Sequence, residues 1–281
     1  MGNSNFLLLS CGPYLEKPKL FMKFIETHAH IYSKKFSEDV EEVVQRANDS
    51  GIAKIFMPNI DLDSIDGMLA LEQKFPNVCY SMLGLHPCDV DKDFEKTLSE
   101  MEKWWDKHTF HGVGETGIDL YWDKTHLEEQ KASLKVHVDW AKEKQLPLIL
   151  HCRESLDETL DLIGPLCDKN LSGIFHCFSG TVEQARQIIE MGFYLGIGGT
   201  LTFKNSEVGA VIKELGLEHL VLETDSPFLS PVPFRGKRNS PEYIPYIAEK
   251  MAEFTGTSVS EVSEITNRNA LKVFKLLPDE L

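Results

Sequence analysis

Positive charge is scarce in this chain. Its 281 residues carry 29 Lys and Arg against 44 Asp and Glu, a net charge of −15. That balance excludes a grip on long nucleic acid by bulk electrostatics, because such grip comes from cations neutralising phosphates. A phosphate substrate has to be drawn in locally, by bound cations and a few placed arginines. Disulfide architecture is missing too. The six cysteines (Cys11, Cys79, Cys88, Cys152, Cys167, Cys177) form no C-x-x-C pair and no dense framework, which points to a reducing, cytoplasmic setting. Long apolar runs are absent as well. Phe6-Leu7-Leu8-Leu9 has no basic lead-in and is too short for a signal-peptide core or a membrane span, so no membrane is expected as a partner. There is no low-complexity tract and no linker rich in Pro, Gly or Ser. Residues 1–21 read as an appendage outside the fold, with Met22 standing where a natural start would fall, and 22–281 as one domain.

What the chain does contain is a beat. Eight short, almost continuous apolar runs occur at 24–28, 53–57, 78–84, 111–115, 147–151, 172–176, 193–197 and 220–223. Continuous apolarity marks strands covered on both faces, as in a parallel sheet. Between them the spacing predicts helices over 38–49, 61–75, 94–107, 126–144, 155–167 and 205–215, and two more close the chain at 241–254 and 258–276. Thr181 with Gln184 opens the helix after the sixth strand, and Ser155 with Glu158 and Ser258 with Glu261 stand at capping-box spacing. Eight such units at this length predict a single (β/α)8 TIM barrel with an extra C-terminal helix. A doubly wound open sheet is the alternative.

In a barrel of this kind the active site forms at the C-terminal ends of the strands. Strand one leads into His28 and His30, two imidazoles at i and i+2 that alternation turns to the same side. Strand three runs to His86-Pro87, strand four ends in Glu115, strand five in His151 and strand six in His176, and Asp225 follows strand eight. Each alone has an ordinary structural reading. Their concentration on one rim does not. Four of these five imidazoles with the two carboxylates already exceed the three protein ligands of a usual catalytic zinc and suit two divalent ions sharing a bridging carboxylate. Zinc, manganese, cobalt, nickel and iron fit that donor mix, and magnesium fits it less well. Cys152 and Cys177 each follow a histidine of the set, so alternation turns them away as packing residues.

Asp225 is the candidate to hold the attacking water and take its proton. Glu223, two residues earlier, completes the catalytic pair as a carboxylate that orients a ligand. Candidate substrate contacts are Arg153, His86, Lys204 and Arg235, the last within the basic run Arg235-Gly236-Lys237-Arg238, where Asn239 is placed to bond within the loop.

The segments E-T-H-A-H (26–30), G-L-H-P (84–87), G-E-T-G-I-D (114–119), H-C-R (151–153), F-H-C-F-S-G (175–180), E-T-D-S-P-F (223–228) and P-V-P-F-R-G-K-R-N-S-P (231–241) appear in this order. Together they resemble the TatD family of metal-dependent deoxyribonucleases, among the amidohydrolase-like barrels. The resemblance implies that His28, His30, Glu115, His151, His176 and Asp225 are the metal ligands, with Glu115 bridging two ions. It implies hydrolysis of DNA phosphodiesters, often from the 3′ end, on single-stranded or frayed ends. Glu26 stands where that family usually has Asp; the carboxylate is kept, so a small change is expected. Two other readings stay open: a hydrolase of a small ester, amide or lactone on the same barrel, and a catalytically silent binding protein. Glu115, where some amide-cleaving barrels carry a carboxylated lysine, leans towards phosphoester chemistry. Retention of all six candidate ligands speaks against a silent descendant.

Overall fold

The computed structural model describes residues 22–281; the appendage expected over 1–21 lies outside the described residues. Eight parallel strands form the centre: β1 Phe24–Glu26, β2 Ile52–Pro58, β3 Cys79–Met82, β4 Val113–Asp119, β5 Leu148–Arg153, β6 Gly173–Phe175, β7 Phe193–Ile197 and β8 Leu220–Leu222. They pair in sequence order as one ladder from β1 to β3 and another from β4 to β8. Two single bridges join the ladders, Leu83 with Val113 and Ala29 with Ser226. At the second seam Thr27 N–H donates to the Leu222 carbonyl at 3.0 Å and Asp225 N–H to that of His28 at 2.9 Å. The ring is closed, and the fold is the (β/α)8 barrel rather than an open sheet.

Helices alternate with the strands: α1 Val40–Asp49, α2 Ile65–Lys74, α3 Phe94–Glu102, α4 Leu127–Lys144, α5 Leu156–Ile163, α6 Val182–Glu190, α7 Val208–Leu215 and α8 Ile244–Thr255, with α9 Val259–Val273 as the extra one. Each buries an apolar stripe against the strands, as Val43, Val44 and Ala47 do for α1. The lumen is filled rather than hollow. Ile25, Phe56, Tyr80, Met82, Ile149, Ile174, Tyr194 and Val221 form an inner cluster with Ala270, Leu271 and Phe274 at the end of α9. Phe274 stacks on Phe56 with ring centroids 3.5 Å apart. Asn267 fixes α9 beneath the barrel by accepting from Ile25 N–H at 3.0 Å and donating to the Lys23 carbonyl at 2.6 Å. The end of the barrel where the strands begin is thus stoppered, and only the other end is free to hold a site.

Three local expectations change. Trp104 and Trp105, expected inside a helix over 94–107, lie in the turns after α3, which stops at Glu102, and pack partly buried against the core. Ser155 does not cap α5 with its side chain; its hydroxyl donates to the Ile118 carbonyl at 2.5 Å, tying the helix to β4. Strand β4 continues four residues past Glu115, because a buried carboxylate with imidazole partners does not have to end a strand. The capping box of Thr181 and Gln184 on α6 is present in full, and Ser258 accepts from Glu261 N–H at the start of α9.

Candidate metal centre

Glu115 sits at the middle of the rim. Its Oε2 is 3.1 Å from His28 Nε2 and 3.1 Å from His30 Nε2. Its Oε1 is 2.8 Å from His151 Nδ1, 2.8 Å from His176 Nε2 and 3.5 Å from His86 Nε2. Asp225 Oδ1 closes the first group from the other side, 3.8 Å from His28 Nε2 and 3.5 Å from His30 Nε2. The rings of His28 and His176 stack at 3.9 Å. One carboxylate therefore faces two imidazoles with Oε2 and three with Oε1, the third (His86) at the longest distance. Three overlapping sets of donors lie close enough together to hold ions: His28 with Glu115 and His176; His28 with His30 and Asp225; and His86 with Glu115 and His151.

This crowding is itself a test of fit. His28 Nε2 lies 3.1 Å from both His30 Nε2 and the Glu115 carboxylate, and one nitrogen has at most one proton to share among them. Lone pairs from β4, β5 and the segments after β1, β3, β6 and β8 aimed at one small volume are what a divalent cation resolves, and the nitrogen–oxygen set suits a first-row metal. The residues fit. Electrostatics reads the same way: burial by itself would raise the Glu115 carboxyl, but the imidazoles of His176, His28 and His86 hold it well below the usual carboxylate range.

Around this cluster stands a ring of partners. His30 Nδ1 is 2.9 Å from Tyr32 Oη and 3.2 Å from the Pro58 carbonyl. His151 Nε2 is 3.0 Å from Asp119 Oδ2. Glu223, wholly buried, accepts the Cys177 N–H at 2.5 Å and faces His176 Nδ1 at 3.5 Å. Such partners fix ring orientation and tautomer. Gly196 on β7 leaves the room for Glu223: a methyl there would lie 2.1 Å from its carboxylate oxygen. Glu26 lies beneath, accepting the N–H groups of His28 at 2.9 Å and Thr224 at 3.0 Å, so it ties β1 to β8. Burial pushes its carboxyl up to about 8. Asp225 adopts a left-handed backbone with φ of 57°, a conformation that Asp tolerates better than most residues.

The candidate substrate contacts divide. His86 reaches the cluster; Cys88 N–H donates to its Nδ1 at 3.1 Å, which leaves Nε2 facing Glu115. Arg153 is exposed at the mouth, its guanidinium 3.7 Å above the Tyr121 ring. Lys204 is exposed, and Arg235 lies 4.0 Å over Phe203. Arg238 is a correction to the reading of 235–238 as one cationic run: its fork is taken by Asp39, at 2.8 and 2.5 Å, and it also donates to the Lys35 carbonyl. Asn239 bonds within the loop, donating to the carbonyls of Thr224 and Phe228. Sequence reasoning passed over Asp119, although the i+2 alternation of a strand puts 115, 117 and 119 on one face. Tyr32 and His137 carried no comparable signal.

A closed barrel with a histidine–carboxylate cluster at one rim is the architecture of a metal-dependent hydrolase. The family model described as TatD related DNase matches residues 25–275, and the chain belongs to that family. It is 34% identical over 252 residues to the Bacillus subtilis protein named uncharacterized metal-dependent hydrolase YabD, covering 89% of this chain and 98% of the other. A Pectobacterium carotovorum protein named 3′-5′ ssDNA/RNA exonuclease TatD is 27% identical over 253 residues, covering 88% and 97%. The crystal structure of YjjV, a TatD homologue from Escherichia coli, superposes with a TM-score of 0.86 at 30% identity, covering 92% of this chain and all of that one. Among the described residues no helix is long and apolar enough to cross a membrane.

Proposed function

We propose that this protein is a dinuclear deoxyribonuclease that removes nucleotides from the 3′ ends of single-stranded or frayed DNA in the cytoplasm. The observation that carries the reading is the Glu115 carboxylate, which turns one oxygen to His28 and His30 and the other to His151 and His176. That placement supports a reading in which Glu115 would help to hold two ions. His28, His30, Glu115, His151, His176 and Asp225 would hold them, with Zn, Mn, Mg, Co, Ni or Fe as the candidates. When bound, such a pair lowers the pKa of a water and offsets charge on the attacking and leaving oxygens of a displacement.

The chain's own groups do the rest. Asp225, 13% exposed and so open to the mouth, accepts the proton of the attacking water. His86 Nε2 faces the same space and contacts the phosphate or the leaving oxygen. Glu223, Asp119 and Tyr32 act as positioning residues for His176, His151 and His30. Arg153, Lys204 and Arg235 supply the local cations that the acidic bulk requires. All five described cysteines are free, in keeping with a reducing compartment.

The test uses protein stripped of metal, then given Mg²⁺, Mn²⁺ or Zn²⁺ with 5′-labelled single-stranded DNA. Stepwise shortening that needs the metal is expected. Replacing Asp225 by Asn should cut the rate at least about hundredfold. Metal-dependent turnover of a small ester or amide with the DNA left intact would overturn the proposal in favour of the second hydrolase reading.

A further inference from the structure

A pocket of about 340 Å³ opens beside the metal centre, between the loop after β3 and the loop after β4. Cys88, Asp89, Asp119, Trp122 and Asp123 are among its walls. Asp119 is the shared partition: it lines the pocket, and its Oδ2 is 3.0 Å from His151 Nε2 on the metal side. A group in the pocket is therefore one side chain away from the cluster. Trp122 is 70% exposed, more than any other large hydrophobic side chain among the described residues. It contributes little to the core and leaves most of its ring open at the rim of the pocket, available for stacking. Tyr121 meets it edge-on with centroids 4.9 Å apart, and the Arg153 guanidinium lies 3.7 Å over Tyr121 and 5.3 Å from the Trp122 ring. The result is a braced aromatic platform with a cation at its edge.

The polarity of the walls narrows what fits. Asp89 and Asp123 repel a phosphate but accept hydrogen bonds from N–H groups, whereas Asp119 is buried, with Oδ1 already accepting from the N–H groups of Tyr121 and Trp122 and Oδ2 facing His151. A flat ring with N–H donors, joined to a phosphate that stays outside the carboxylates, matches both features. We infer that this pocket receives the 3′-terminal base of the strand, stacked on Trp122 with its donor edge towards the carboxylates, while Arg153 holds backbone phosphate at the rim. The inference rests on the nuclease reading above and adds a base subsite to it. Guanine, with N–H groups at N1 and N2, suits such walls best. Thymine, whose single N–H is flanked by two carbonyls, suits them least.

The experiment compares metal-loaded protein on 5′-labelled single strands that differ only at the 3′-terminal residue: dG, dT or an abasic deoxyribose. Loss of the base should lower kcat/KM about tenfold, the scale of one base–aromatic stack. The dG end should be favoured over the dT end by about fivefold. Trp122→Ala should erase the penalty for the abasic end, and Trp122→Phe should keep it. Equal kcat/KM on all three strands would overturn the inference. A second readout needs no turnover: dGMP should quench the protein's tryptophan fluorescence saturably, deoxyribose 5-phosphate should not, and Trp122→Phe should lose the effect. Absent quenching, or quenching that survives Trp122→Phe, would overturn the pocket even in an active nuclease. Quenching by dGMP in a protein that leaves DNA intact would keep the pocket and overturn the nuclease reading instead.

Discussion

His137 offers a measurement in which sign and size both follow from the structure. It is wholly buried on α4, its Nε2 accepts the Leu85 N–H at 3.0 Å and its Nδ1 donates to the Ser133 carbonyl at 2.7 Å. The next residue, His86, faces Glu115, so this bond anchors the turn that brings His86 to the metal centre. Burial lowers the His137 pKa from the usual 6.5 to about 4, against a smaller raising effect of the Ser133 carbonyl. In the unfolded chain the imidazole takes up its proton near pH 6.5; in the fold it resists until about pH 4. The unfolded state thus binds more protons within that window, and stability falls as pH drops through it. At roughly 1.4 kcal/mol per pH unit the loss approaches about 3 kcal/mol, most of it by pH 4.5. His137→Leu removes the titration and leaves the Leu85 N–H without an acceptor, at a cost of about 1–3 kcal/mol near neutrality. Urea unfolding of both proteins in chelator, at pH 7.5 and 4.5, gives the gap between them. The wild type should lead at pH 7.5, and the gap should shrink by about 2–3 kcal/mol at pH 4.5. An unchanged gap would refute the assignment of a neutral, buried imidazole.

The remaining expectations concern neighbours of the site. Arg238→Ala should leave kcat/KM on DNA within about twofold and lower stability by less than about 1 kcal/mol, because its guanidinium is committed to Asp39 near the surface; a larger loss of activity would return it to the substrate contacts. Gly196→Ala should cost about 2 kcal/mol by pressing on Glu223, and should weaken zinc or manganese binding through His176, which calorimetric titration reads directly. Asp119→Asn should weaken metal binding about tenfold or more by freeing His151, with the fold unchanged by circular dichroism.

The rhythm of apolar runs and helix starts belongs to the sequence, because continuous apolarity and capping chemistry are local properties of neighbouring residues. The same holds for the six candidate ligands, since they lie on or just after five of the apolar runs and the barrel brings those together at one rim. Glu26, by contrast, looked like a neutral replacement of one carboxylate by another. Only the fold shows it as a buried tie between the two strands that close the ring. Arg238 read as a free cation, and its partner Asp39 is about two hundred residues away in the chain. Asp119 was within reach of alternation, but nothing local said that β4 continues past a buried charge. Donor identities and their order along the chain were thus determined by the sequence alone. Which oxygen of Glu115 faces which histidines, which carboxylates orient them, and which cations stay free were decided by tertiary structure, because those contacts join residues that only closure of the barrel brings together.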